Sequence, residues 1–482
     1  MKRQIITVAV LAALSGCAPS PSQVDGNPQT ADSAHANVLA SEHWPPPPPP
    51  NSSPNAEMPP GPPPSMGQKP PGPPPGGFPL GGFAGGPGGP SKVVTGSGLY
   101  VLKNGEQLIG GQYQSDQDDQ NVFRAQGDIN ASLSSVHVHK TAGKPSSNDA
   151  ASFYGLNAAI LALDNATLTI NGGTVDASSE GSTGVFAYNG AVIHLNDTEI
   201  NVSGGNAGGI EVAGGGEIYA NNLTVNSRVK AAIRSDRGGG KLVVNGGQYS
   251  TQGSMGAPAI YSTADIEVNN ATLDSHNSEA VVIEGLNSVT IRDSAVTGRM
   301  DGNYQPDSND VIRNVMLYQS MSGDAQNGTS RFTMQGGSLR SNNGDMFYVT
   351  NTDSVINLNH VILKRAANSK LLVIAGNSGK RGWGRVGANG GVCEMNLLNQ
   401  IADGDIRVDP ISALELNLEQ GAQYTGAINP NGEQAQSLVV SLDNTSHWSL
   451  TADSYVTEFK GQLSQVSFNG HQIYVAGKSL SQ

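Results

Sequence analysis

Apolar residues in this chain fall two apart, in short runs. Leu168/Ile170, Ile193/Leu195, Leu242/Val244 and Ile266/Val268 alternate with polar neighbours, the pattern of a half-buried strand. Each run ends at a turn pair: Asn171-Gly172, Asn196-Asp197, Asn245-Gly246 and Asn269-Asn270, with Asn221-Asn222 between them. The second residue of each pair is Gly, Asn or Asp, the types that enter the left-handed backbone region at low cost. A second marker, Val185, Ile210, Ile233, Ile260 and Val282, recurs with a similar spacing. Two markers sharing a period of about 24 residues predict a solenoid. Helical repeats would need a 3.6-residue period, which is not seen. Three strands and three turns instead fill about 24 residues, one coil of a single-stranded right-handed parallel β-helix with equivalent positions stacked at ~4.8 Å. Residues 231–266 show one such coil. Ile233 faces inward and Arg234 and Asp236 outward; strands follow at Lys241–Val244 and Gln248–Thr251; the pattern restarts at Ala259-Ile260-Tyr261.

Composition supports an all-β solenoid over a conventional globule. Only 5% of residues are aromatic and 14% charged, with 62 glycines; thin levels built on Val, Ile and Leu need few large side chains. The formal charge of −13 opposes a nucleic-acid partner, whose phosphates demand Lys and Arg.

The repeats begin at about residue 96. Residues 1–17 read as a signal peptide: Lys2 and Arg3, then the apolar run Ile5–Leu14, too short to span a bilayer. Leu14-Ser15-Gly16-Cys17 resembles the bacterial lipobox. That resemblance implies acylation of Cys17 (palmitate among the chains), a membrane anchor and a lipoprotein of the cell envelope. Ala18 after the cysteine is similar to lipoproteins sent to the outer membrane. Residues 18–95 carry Pro45–Pro50 and two PPGPPP runs. They are expected to be a disordered Pro/Gly-rich stalk, since proline runs favour polyproline II; a docking site for a Pro-binding domain is the alternative. Residues 96–482 are then the β-helix. The only other cysteine, Cys393 in GVCEMN, is expected to be a buried strand residue.

The blocks SFYGLNAAILA, AAIRSDRGGG, APAIYSTADI, SEAVVIEGLNSV, LYQSMSGDA, GDMFYVTNT and NSGKRGWGRVGANGG resemble those of a bacterial family of right-handed β-helix, adhesin-like surface proteins. The resemblance spans most of residues 150–460. It implies the fold, which is also similar to that of pectin-lyase-like enzymes, and it carries over no catalytic residues.

With coils in register, the outward residues after each inward aliphatic form a column: Phe186, Glu211, Arg234, Tyr261, then Ile283 or Glu284, and later Tyr318 and Tyr348. Aromatic and charged groups repeating at ~4.8 Å suit a polysaccharide or surface glycan. The competing reading is a ladder in which Glu211, Arg234 and Asp236 pair among themselves. Arg234-Ser235-Asp236-Arg237 is the densest charge cluster of the repeat. The loop Lys380–Arg385 places Trp383 between Arg381 and Arg385, either as a glycan-contacting tip or as a Trp tucked onto the flank. Residues 299–310 would form another wall.

A glycosidase needs two carboxyls roughly 5–10 Å apart. Glu211 and Glu284 lie about three levels apart, roughly 14 Å, too far; Glu211 with Asp236 stays open. Asp116, Asp118 and Asp119 read as a solvated loop rather than a calcium site. His137 and His139 share a strand face without a third ligand. No metal or cofactor is expected. The leading expectation is an envelope-anchored, adhesin-like or carbohydrate-binding lipoprotein without catalysis. The alternatives are a polysaccharide lyase or glycoside hydrolase, and a structural envelope spacer.

Overall fold

The computed structural model describes residues 93–253, 256–301, 310–320 and 322–480. The signal segment, Cys17, the stalk up to residue 92 and residues 302–309 of the expected wall lie outside the described residues. The described chain is all-β, save for one short α-helix, Asn148–Tyr154, and a 3-10 turn at Leu463–Gln465. Its strands form a 12-stranded first sheet, a 22-stranded second sheet and two small sheets of 4 and 3 strands. Strand pairing is parallel throughout the two large sheets. This arrangement is compatible with a parallel β-helix.

The register shows why the turn pairs recur. Asn171 pairs with Asn196, Asn196 with Asn221, Asn221 with Asn245, and Asn245 with Asn269. Their side chains form a hydrogen-bonded ladder. Asn196 donates to Asn171 at 2.9 Å, Asn221 to Asn196 at 2.8 Å, and Asn245 to Asn221 and Asn269 to Asn245 at 3.1 Å each. The second residue of each pair sits at positive φ: +66° at Gly172, +48° at Asp197, +53° at Asn222, +67° at Gly246 and +54° at Asn270. One left-handed residue, or two where Gly173 and Gly247 follow, turns the chain from one strand to the next, and an Asn beside it ties that turn to the level below.

The inward column of the first sheet runs through Phe123, Ile160, Val185, Ile210, Ile233, Ile260 and Val281, all fully buried. The expected marker Val282 is therefore one residue off. The interval before it is shorter than its neighbours, so Val281 takes the inward place and Val282 pairs with Tyr261 on the outer side. Each buried Ile or Leu contributes about 1.5–3 kcal/mol, and the column repeats at nearly every level. Tyr249 replaces an aliphatic between Val225 and Leu273. Its hydroxyl is buried and accepts or donates no hydrogen bond among the described residues.

The two ends differ from the body. Tyr100, Tyr113 and Phe123 gather at the N-terminal end with ring centroids 4.7–5.5 Å apart. At the other end, Ile473–Val475 turns back antiparallel on Lys478–Leu480 and closes the stack.

Replacing Asn221 by Ala removes one donated and one accepted ladder bond and is expected to cost about 1 kcal/mol. Tyr249→Phe deletes a buried hydroxyl with no partner and is expected to leave stability unchanged or raise it. Denaturant midpoints of the two variants check both directions.

Candidate functional site

The column expected on the outer face of the first sheet exists. Phe186 pairs with Glu211, Glu211 with Arg234, and Arg234 with Tyr261. It then continues through Val282, Met316 and Tyr348, not through Ile283 or Glu284. Ile283 faces the core, and Glu284 pairs with Tyr318 in a second outward column.

The side chains point outward as expected, but solvent does not reach them. Phe186, Glu211, Asp236, Tyr261, Glu284, Tyr318 and Tyr348 are all under 5% exposed. Three insertions cross above the sheet. The first lies between Asn130–Lys140 and Ile160–Leu163 and carries the α-helix. The second lies between Arg313–Tyr318 and Thr329–Gln335. The third lies between Leu372–Ile374 and Val392–Leu398. Strand periodicity reports which side of a sheet a residue takes; it is silent about what passes over that side.

The helix begins at Ser147, whose Oγ accepts from the Ala150 amide at 3.1 Å, and ends at Gly155 with φ +72°. It is docked through Lys230, whose Nζ donates to Ser152 Oγ at 2.8 Å, and through Asn206, which donates to the Asn148 carbonyl at 3.1 Å. Arg237 joins two insertions. Its guanidinium lies 4.0 Å from the Phe153 ring centroid, and its Nε is 2.7 Å from Asp324 Oδ1.

Beneath this cover, Arg234 holds Glu211 Oε1 at 3.0 Å and Asp236 Oδ2 at 2.6 Å, with its guanidinium 4.7 Å over Tyr261. Thr183 donates to Glu211 Oε2 at 3.0 Å. Burial pushes the Glu211 carboxyl up to about 7 against the pull of Arg234, with Asp236 adding to the push. Burial likewise raises Asp236 against Arg234. Glu284 accepts from Tyr261 at 2.7 Å, from Tyr318 at 2.8 Å and from Ser320.

Sequence reasoning missed a second buried constellation. Arg313, fully buried, sits 2.9 Å from Glu279 Oε1 and pairs with Asp310. Tyr348 and Trp383 flank its guanidinium at 5.5 and 5.6 Å. The signal was an arginine opening the apolar strand RNVMLY, a placement that requires a buried counter-charge. Trp383 is tucked down onto Tyr318, centroids 5.1 Å apart. Asn377 and Asn389 each donate to its carbonyl at 3.0 Å. Arg381 lies over the Trp383 ring at 5.1 Å and 3.7 Å from Asp310. Of that loop, Arg385 is exposed. Glu279 stays below the usual carboxylate range: burial opposes ionisation, and Arg313 with the Ser278 hydroxyl overcomes it.

The remaining candidates find internal partners. Lys140 Nζ donates to the Gln117 carbonyl at 2.6 Å, within the acidic loop. Burial pushes it down to about 8, while Asp116, Asp118 and Asp119 pull it back up. A cation from the chain thus serves the loop where calcium was considered. His137 meets Thr174 at 3.0 Å and His139 meets Asp176 at 3.5 Å. Among the described residues no group of three metal-ligating side chains converges. Cys393 is buried, and burial pushes its thiol up to about 12.

No family model matches the chain, and no curated protein or solved structure matches it. Strand register and the geometry of the outer faces therefore carry the functional reading.

Arg313→Met would leave Glu279 and Asp310 buried without their cation, and is expected to cost ~3–5 kcal/mol. Replacing Glu279 as well should recover part of the loss in denaturant titrations. Glu211 supplies a pH dependence. Its folded value lies above the ordinary 4.5, so the folded chain keeps a proton that the unfolded chain releases. Stability contributed by this group is present below 4.5 and declines as pH rises to about 7. The drop in thermal midpoint between pH 5 and pH 8 is expected to be smaller in Glu211→Gln than in the parent.

Proposed function

We propose that residues 96–482 form a right-handed parallel β-helix of about 24 residues per coil, and that this rod is the displayed part of a lipid-anchored, adhesin-like envelope protein. It binds a linear polysaccharide or surface glycan without catalysis. The register of the asparagine ladder supports the coil length. The lipobox around Cys17 and the proline runs support an anchor and a spacer, and the resemblance to adhesin-like β-helix proteins supports the display role.

One observation carries the binding reading: the two large sheets treat their outer faces differently. The first is roofed over. The second stays open along its length. Its column through Thr169, His194, Tyr219, Val243, Glu267, Thr290, Thr333, Asn357 and Asn396 follows the register level by level. Each of these side chains is half-buried or exposed. Hydroxyls, amides and charges at ~4.8 Å intervals offer a long polymer many weak, repeated hydrogen bonds. In this conformation Glu211, Arg234, Asp236, Tyr261 and Glu284 are closed to such a polymer; half-exposed Arg237 and exposed Arg385 are not.

A second reading, a polysaccharide lyase or hydrolase, is favoured by one observation. Glu211 is held near neutrality beside Arg234 and Asp236, the kind of poise a general acid or base requires. It would act only after the roof opened.

Probing arrays of linear polysaccharides with the full chain separates the readings. Retention without release of reducing ends or unsaturated sugars is expected. Released products that disappear in Glu211→Gln would establish the enzyme instead. An array without retention or products would leave a spacer. Cys17→Ser is expected to move the protein from the membrane to the soluble fraction; unchanged fractionation would remove the anchor.

A further inference from the structure

Glu284 is the unusual acid of the roofed face. It is 1% exposed, and it pairs with no cation among the described residues. Its carboxyl meets only hydroxyls. Tyr261 and Tyr318 reach it from the first sheet, and Ser320 reaches it from the second insertion. Ser320 in turn meets Ser322 at 2.6 Å, and Ser322 Oγ accepts from the Asp324 amide at 3.2 Å. This chain of bonds runs from the sheet into the insertion. A second tie, Arg237 to Asp324, holds the same insertion from two levels before that of Glu284. Residues Ser322–Gly328 thus lie as a strap whose leading end is held by one neutral and one ionic tie, while its far end is anchored by the Leu286 amide, which donates to the Gln326 carbonyl at 2.8 Å, and by Gln319, which donates to the Ala325 carbonyl at 3.4 Å.

The charges around the strap do not balance. Glu211, Asp236, Glu284 and Asp324 supply four carboxyls. Arg234, Arg237 and Lys230 supply three cations. Four less three leaves one carboxyl in excess. Arg234 is taken by Glu211 and Asp236, and Arg237 by Asp324. Glu284 meets none of these cations and is bonded only by hydroxyls.

We propose that the strap is a proton-operated latch: with Glu284 protonated it lies closed over the first sheet, and with Glu284 ionised it lifts, uncovering Arg234, Tyr261 and Tyr318. The buried, cation-free setting favours the neutral acid. Burial raises Glu284 above the usual carboxylate range, against the donations from Ser320 and Tyr261, and Asp324 raises it further. The phenols that face it stay protonated. Burial lifts the Tyr261 and Tyr318 phenols well above 10, so both stay donors. From the third insertion Trp383 packs on Tyr318, an indole without a titrating group. Arg234, over Tyr261, stays charged. The sign follows. A proton bound in the closed state and released in the open one makes closure strongest at low pH and progressively weaker as pH rises through the raised value.

Backbone hydrogen exchange of the full chain reads the latch directly, whatever the rod binds. Peptides covering 322–328, corrected for intrinsic rates, are expected to exchange about tenfold faster at pH 8 than at pH 5. Peptides of the second sheet should keep their protection. Glu284→Gln, neutral at every pH, should hold the strap closed and abolish the ratio. Asp324→Asn removes a neighbouring charge and, with it, the ionic tie to Arg237; both should move the opening midpoint to lower pH, which also serves if Glu284→Gln fails to fold. Equal strap protection at pH 5 and pH 8 would overturn the proposal. So would a pH response unchanged in Glu284→Gln, a midpoint unmoved in Asp324→Asn, or a loss of protection shared by every peptide.

Discussion

Stacking in register is the constraint on which everything else here depends. Each strand bonds to the equivalent strand of the next level, so every side chain meets its counterparts above and below at strand spacing. An inward place therefore favours an apolar side chain at level after level, as from Phe123 to Val281. A turn place has to accept positive φ and present a group that can bond to its own kind, which asparagine does. Outward places are under the same rule. A lone charge there would face a like or apolar neighbour, and the step from Glu211 to Arg234 shows the solution, an acid on one level meeting a base on the next.

That solution has a cost once a face is roofed. Paired charges on an open sheet are screened by water and worth little. Beneath the insertions the same pairs lose their solvent, and each carboxyl must find a cation, a hydroxyl donor or a proton. Arg313 with Glu279 and Asp310 represents the first outcome, Glu211 with Arg234 a mixture, and Glu284 with its two tyrosines and a serine the second. The roofed face is thereby closed and its buried acids respond to protons, while the second sheet is left as the surface that solvent reaches.

How far the sequence could be read follows from the range of each interaction. Turn pairs, strand phases and the outward direction of Glu211, Arg234 and Tyr261 were legible, because they depend on neighbours along the strand and on a repeat that the chain itself displays. The slip from Val282 to Val281 occurred where the spacing between levels shortened, since periodicity fixes phase only while coil length holds. Trp383 could be placed in a loop but not against Tyr318, and Arg313 drew no notice, because the residues that neutralise it come from Glu279 on the preceding level and from Asp310.

The chain by itself determined that it is all-β, that its strands recur at a common interval, which residues turn it and which side of each strand faces the core. These are consequences of local backbone preference and of hydrophobic alternation. Tertiary structure alone decided which outer face is open. The insertions that roof the first sheet arrive from distant points of the chain, and burial is a property of everything that surrounds a side chain. Sequence spacing therefore placed an acid, an arginine and a tyrosine in one column, and only the fold determined that they face one another rather than a ligand.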